Sequence, residues 1–83
     1  MHSPEATTVN LIHVDPERNM ARFNGIEVQP TLFGEMSVLR NWGRIGTKGR
    51  GMMVTYKDEY QAAVALQKLD KQKRRRGYVE VTT

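Results

Sequence analysis

Residues 35–56 constrain the fold of this chain more than any other stretch. Glu35 to Ile45 is long enough for a major central strand, and its side chains divide with a period of two. Met36, Val38, Arg40, Trp42 and Arg44 project to one face; Ser37, Leu39, Asn41, Gly43 and Ile45 project to the other. Gly46-Thr-Lys-Gly-Arg50 then has the chemistry of a tight turn, with Gly49 free to take positive φ, and Gly51-Met-Met-Val-Thr-Tyr56 reads as the return strand. A hairpin is the arrangement that uses all three segments.

The remaining segments supply partners for that hairpin. Val9-Asn-Leu-Ile-His-Val14 is apolar and β-branched, which favours a strand. Asp15-Pro-Glu-Arg-Asn19 carries turn chemistry, and Met20 to Val28 returns as a second strand. Asn24-Gly25 inside that return admits two readings, a bulge at Gly25 or a type I′ turn; the short distance from Gly25 to the end of the apolar run favours the bulge. Gln29-Pro-Thr-Leu-Phe-Gly34 is a connection whose Leu32 and Phe33 are expected to plug the edge of the core. Asp58 is an N-cap with Gln61 as its capping-box partner, and Ala62, Ala65, Leu66 and Leu69 form the buried stripe of a helix. Tyr60 and Val64 share another face, either as a helix rim or as a surface open to a partner. Gly77 ends the helix, and Tyr78-Val-Glu-Val81 closes the sheet. The expected class is α+β, an antiparallel sheet of four to five strands with one helix packed on one face. One domain over residues 7–82 follows a disordered tail at 1–6.

Size and composition exclude several functions. A chain of 83 residues buries only roughly 60–65% of its unfolded surface, too little for a core, a deep catalytic cleft and a cofactor site together. Cysteine is absent, which removes disulfides and thiol chemistry. The start has neither a basic leader nor an apolar run, and no apolar stretch approaches the ~20 residues that span a bilayer, so a cytoplasmic, membrane-free protein is expected. The serines are Ser3 and Ser37 and the histidines His2 and His13, with no metal-ligand spacing among them. The glycines match neither phosphate-binding fingerprint. The expectation is no enzyme activity, no cofactor, no metal and no small-molecule substrate.

Charge points elsewhere. Residues 1–41 hold three basic and five acidic side chains, a net of −2; residues 42–83 hold ten basic and four acidic, a net of +6. Arg40 to Arg50 contains the only tryptophan, four basic residues, three of the seven glycines and no acid. On a strand Trp42 and Arg44 share a face, where an indole can stack and a guanidinium can bind phosphate. The alternative is a core tryptophan beside solvated cations. Lys71-Gln-Lys-Arg-Arg-Arg76 adds five cations that complement the helix dipole and remain available to an anion. The candidate nucleic-acid contacts are therefore Trp42, Arg44, Arg40, Lys48, Arg50, Lys71, Lys73, Arg74, Arg75 and Arg76; Arg18, Arg22 and Lys57 read as isolated surface charges. DNA is the expected partner, with a protein partner as the alternative.

Arg40-Asn-Trp-Gly-Arg-Ile-Gly-Thr-Lys-Gly49 resembles the WGR domain, named for its tripeptide. Arg18-Asn-Met-Ala-Arg-Phe23, Gln29-Pro-Thr-Leu-Phe-Gly-Glu35 and Lys73-Arg-Arg-Arg-Gly-Tyr78 resemble its stand-alone bacterial form, so the resemblance covers roughly residues 9–80. Where the family usually has an aromatic after Arg-Phe, this chain has Asn24. The resemblance implies a module that binds DNA near breaks, often at a 5′-phosphorylated end. It implies that Trp42 packs on a terminal sugar or base, and that Arg44 organises the DNA contact or bridges to neighbouring domains. The polymerase domain that accompanies this module in poly(ADP-ribose) polymerases has no counterpart among these residues.

Overall fold

A computed structural model describes residues 7–81. The expected tail at 1–6 and the domain end at 82 lie outside the described residues. Strands β1 (Thr7–Asp15), β2 (Met20–Pro30), β3 (Met36–Arg44) and β4 (Arg50–Tyr56) precede helix α1 (Glu59–Arg75) and the two-residue β5 (Val79–Glu80). The sheet is antiparallel throughout, in the order β4-β3-β2-β1-β5. This is the α+β architecture expected, with five strands and the helix on one face.

Short turns make the sheet possible. Between β1 and β2 the chain makes one 3-10 turn, Pro16–Arg18, and leaves it through Asn19 at φ 52. Asparagine tolerates that left-handed conformation better than most residues. The β3–β4 connection leaves through two left-handed glycines, Gly46 at φ 94 and Gly49 at φ 70.

Two expectations fail. Gly25 is not bulged: it pairs one-to-one with Asn10 on β1 and Asn41 on β3, in an unbroken register from Met20 to Pro30. What glycine supplies there is clearance, since a Cβ would lie 3.3 Å from Asn10 Oδ1. Leu32 and Phe33 do not plug the core. They are 98% and 86% exposed, because Thr31 closes the loop on itself. Thr31 N–H donates to the Glu35 carbonyl, and Thr31 Oγ1 accepts from the amides of Phe33 and Glu35. This tight turn swings both apolar side chains outward.

Helix α1 begins as its sequence dictates. The Asp58 carboxylate accepts from Gln61 N–H at 2.9 Å. Ala62 is fully buried against Ile26, Val28, Met36 and Val38; Ala65, Leu66, Leu69 and Tyr56 pack around that cluster. Small residues on the helix let it lie close to the sheet while leucines fill the flanks. Tyr60 is exposed and Val64 half-buried. At the other end Gly77, at φ 101, reverses the chain. Its amide donates to the Arg74 carbonyl and that of Tyr78 to the Lys73 carbonyl, the double bond of a Schellman cap. Tyr78 is thereby buried, its ring packed against His13. Arg74 pins the helix end to β5, bonding Asp70 and Glu80 at 2.8 Å each. Among the described residues no helix is long and apolar enough to cross a membrane.

The face of the sheet away from the helix is uncovered. Gly25 and Gly51 floor a depression of about 610 Å³ there, walled by Phe23, Leu39 and Met53.

The hairpin glycines give a test of this frame. A Cβ on Gly49 would strike the Trp42 carbonyl and lie 2.8 Å from Phe23 Cζ, whereas one on Gly46 meets open space. Both substitutions to alanine strain the backbone, by about 1–2 kcal/mol. In urea denaturation Gly46→Ala should show that loss alone, and Gly49→Ala should exceed it by at least about 1 kcal/mol through the added clash.

Candidate nucleic-acid interface

Strand periodicity sorts the face beneath the helix into an apolar and a cationic half. Along β3, Met36 and Val38 enter the core, while Arg40, Trp42 and Arg44 lie beyond the leucine stripe of α1. The β2–β3 register then adds neighbours on the same face: Asn24 opposite Trp42, and Arg22 opposite Arg44. The last turn of α1 brings Lys73 over this region, and the Gly77 cap delivers Tyr78. These residues, with Phe23 and Gly43, line a groove of about 380 Å³. No carboxylate is among its lining residues.

Trp42 is half-buried and is among the residues lining the groove. The Arg40 guanidinium stands 5.3 Å from the indole centroid and reaches the Met52 sulfur at 3.9 Å. That cation–π contact holds the indole while Arg40 stays partly buried. Arg44 donates to the Asn19 carbonyl at 3.1 Å and to Asn19 Oδ1 at 3.3 Å, so it braces the β1–β2 turn from across the sheet. Five donors on a guanidinium leave others free for an anion. Lys73 Nζ lies 5.3 Å from the Tyr78 ring centroid, and Tyr78 packs at 59° against His13 with centroids 5.2 Å apart.

Two features set the groove apart from the rest of the surface. Burial, then the positive charges of Arg76, Arg40 and Arg22, hold the Lys73 ammonium below its ordinary pKa. Asn24 is 2% exposed, and its Oδ1 has no hydrogen-bond partner among the described residues. A cluster of cations gains from a ligand that carries an anion.

The sequence-derived candidates are only partly gathered. Trp42, Arg44 and Lys73 line the groove, Arg40 flanks it, and Arg50 lies opposite Trp42 in the β3–β4 register. Lys48 sits on the exposed hairpin turn. Lys71, Arg75 and Arg76 are exposed at the helix end, outside the lining. Arg74 is engaged by Asp70 and Glu80; hydrogen bonds to Glu80 and then Asp70 raise its pKa. Arg22, Asn24 and Tyr78 were not among the candidates. Arg22 had read as an isolated surface charge, and only the strand register reveals it as the partner of Arg44. Among the described residues no three of His, Cys, Asp and Glu converge as metal ligands.

The sequence profile of the WGR domain matches residues 7–83. This chain belongs to the WGR domain family. The WGR chain is 48% identical over 65 residues to an uncharacterised protein, y4dW, of Sinorhizobium fredii, covering 78% of this chain and 32% of that protein. A crystal structure of a Bacteroides fragilis protein shares the fold with a TM-score of 0.78 at 26% identity, over 92% of this chain and 20% of that one. The chain thus spans about a third and a fifth of the lengths of these two relatives.

The crowding around Lys73 sets a pH signature. A lysine whose folded pKa is lowered costs stability while protonated, and the cost fades as pH rises from the folded pKa toward the unfolded value. Lys73→Gln should therefore raise the melting temperature at neutral pH, with the difference shrinking in alkaline buffer. Added inorganic phosphate should raise the melting temperature of the parent more than that of the variant. Thermal melts across pH, with and without phosphate, check both.

Proposed function

We propose that this WGR domain is a non-enzymatic module that binds DNA at ends or breaks, seating the terminal nucleotide against Trp42. The observation that carries this reading is the groove where Trp42 and Tyr78 meet Arg22, Arg44 and Lys73 with no carboxylate in its lining. Aromatic walls suit a sugar or an unstacked base, which an end exposes and a continuous duplex does not. The guanidiniums and the ammonium suit phosphate. The cations at the helix end and on the hairpin extend the positive surface along the flanking backbone. Among the described residues the cations suit backbone phosphates rather than base edges, which favours slight sequence preference.

Titration of blunt, nicked, recessed and covalently closed circular duplexes, followed by tryptophan fluorescence and anisotropy, tests this. Ends and nicks should bind more tightly than the circle; equal affinity for the circle removes the end-binding claim. Trp42→Ala should weaken binding to ends by about 5- to 150-fold, the equivalent of 1–3 kcal/mol of stacking. Arg22→Gln should reduce the salt slope by about 0.9, one phosphate contact, with affinity falling alike for all sequences.

The uncovered sheet face supports a second reading, docking on a protein partner through Phe23, Leu39 and Met53. Association that survives nuclease digestion and Trp42→Ala would favour it.

A further inference from the structure

The outer rim of β4 is built to receive another strand. β4 is an edge of the sheet, paired to β3 alone, and its outward amides and carbonyls have no strand partner among the described residues. Proteins usually guard such rims with charge, proline, bulges or brevity. The opposite edge, β5, is guarded by brevity, being two residues long. β4 has none of these guards between Gly51 and Tyr56: six uncharged residues without proline, in unbroken register with β3. Met52, Met53 and Val54 remain 47%, 62% and 37% exposed.

We propose that β4 pairs antiparallel with β4 of a second copy, joining two five-stranded sheets into one. Its sequence is self-complementary in the register that uses all of Arg50–Tyr56, with the two-fold axis at Met53. On the helix-bearing face Met52 then meets Val54, and Arg50 meets the ring of Tyr56. On the open face Met53 meets its own copy, and Gly51 meets Thr55. Apolar pairs and a cation over an aromatic ring are favourable cross-strand neighbours, and no like charges are opposed. The row Leu39–Met53 becomes continuous with its counterpart, so the dimer extends the apolar strip that one copy leaves exposed. An axis normal to the sheet keeps both helices on one side, and the interface is isologous, closing at two copies. Both Trp42 grooves then lie on the same face of the joined sheet.

Sedimentation velocity of the DNA-free protein over about a hundredfold range of concentration tests this independently of any DNA-binding result. A concentration-dependent shift to twice the chain mass is expected; a monomer throughout overturns the proposal. Met53→Lys, which opposes two lysines across the axis, should weaken association at least tenfold while circular dichroism is unchanged. The chain has no cysteine of its own, so Met53→Cys gives a direct reading of register. Opposed residues approach within disulfide range, and mild oxidation should yield a covalent dimer. Thr55→Cys, which faces Gly51 in this register, should stay monomeric under the same treatment. Equal cross-linking of both variants, or of neither, rejects the pairing.

Discussion

Pairing of β2 with β3 sets Arg22 opposite Arg44 and Asn24 opposite Trp42, and nearly every property of the cationic groove follows from that ladder. Side chains of an antiparallel pair share a face only in strict alternation, so sliding β3 by one residue would put Trp42 and Arg44 on the opposite side of the sheet from Arg22. The apolar residues at the opposite ends of the same strands prevent the slip. Ile26, Val28, Met36 and Val38 must all face Ala62 and its neighbours, and that requirement locks the polar ends in the same register. Core burial therefore fixes the position of groups that contribute little to the core.

The helix completes the arrangement at its far end. It crosses the sheet from the side of Tyr56 and releases the chain at Gly77, where the cap turns Tyr78 inward and leaves Lys73 overhead. Cations at this terminus are favourable to the helix dipole and unfavourable to one another. Arg74 resolves its share of that conflict with Asp70 and Glu80; Lys73 faces Arg22, Arg40 and Arg76, and its lowered pKa records the cost. A surface that holds like charges together in this way gains more from a polyanion than a dispersed one of equal net charge.

Much of this was legible in the sequence because it rests on local rules. Strand alternation from Met36 to Arg44, the Asp58 cap, the alanine–leucine stripe and the glycine at 77 each carry their own chemistry within a few residues. What escaped depended on pairing between distant segments. Gly25 has the look of an irregularity until Asn10 is placed beside it. Leu32 and Phe33 look like core residues until Thr31 closes their loop. Arg22 is an ordinary charge until β3 runs alongside, and Tyr78 a strand residue until His13 and Lys73 flank it. The basic run 71–76 reads as a helix end from its own chemistry, whereas the turn of Lys73 alone toward the groove depends on how the helix crosses the sheet.

The hairpin between β3 and β4 also limits how this domain can vary. Gly49 approaches the Trp42 carbonyl so closely that a side chain has nowhere to go, and Gly43 is hemmed in by the Gly49 backbone. Near the strands the loop is welded to the backbone that carries the indole. Thr47 is tied to the Arg44 carbonyl through its amide and its hydroxyl, so insertions are absorbed best beside Lys48, where a longer or differently charged finger would change how far the protein reaches without moving its aromatic anchor.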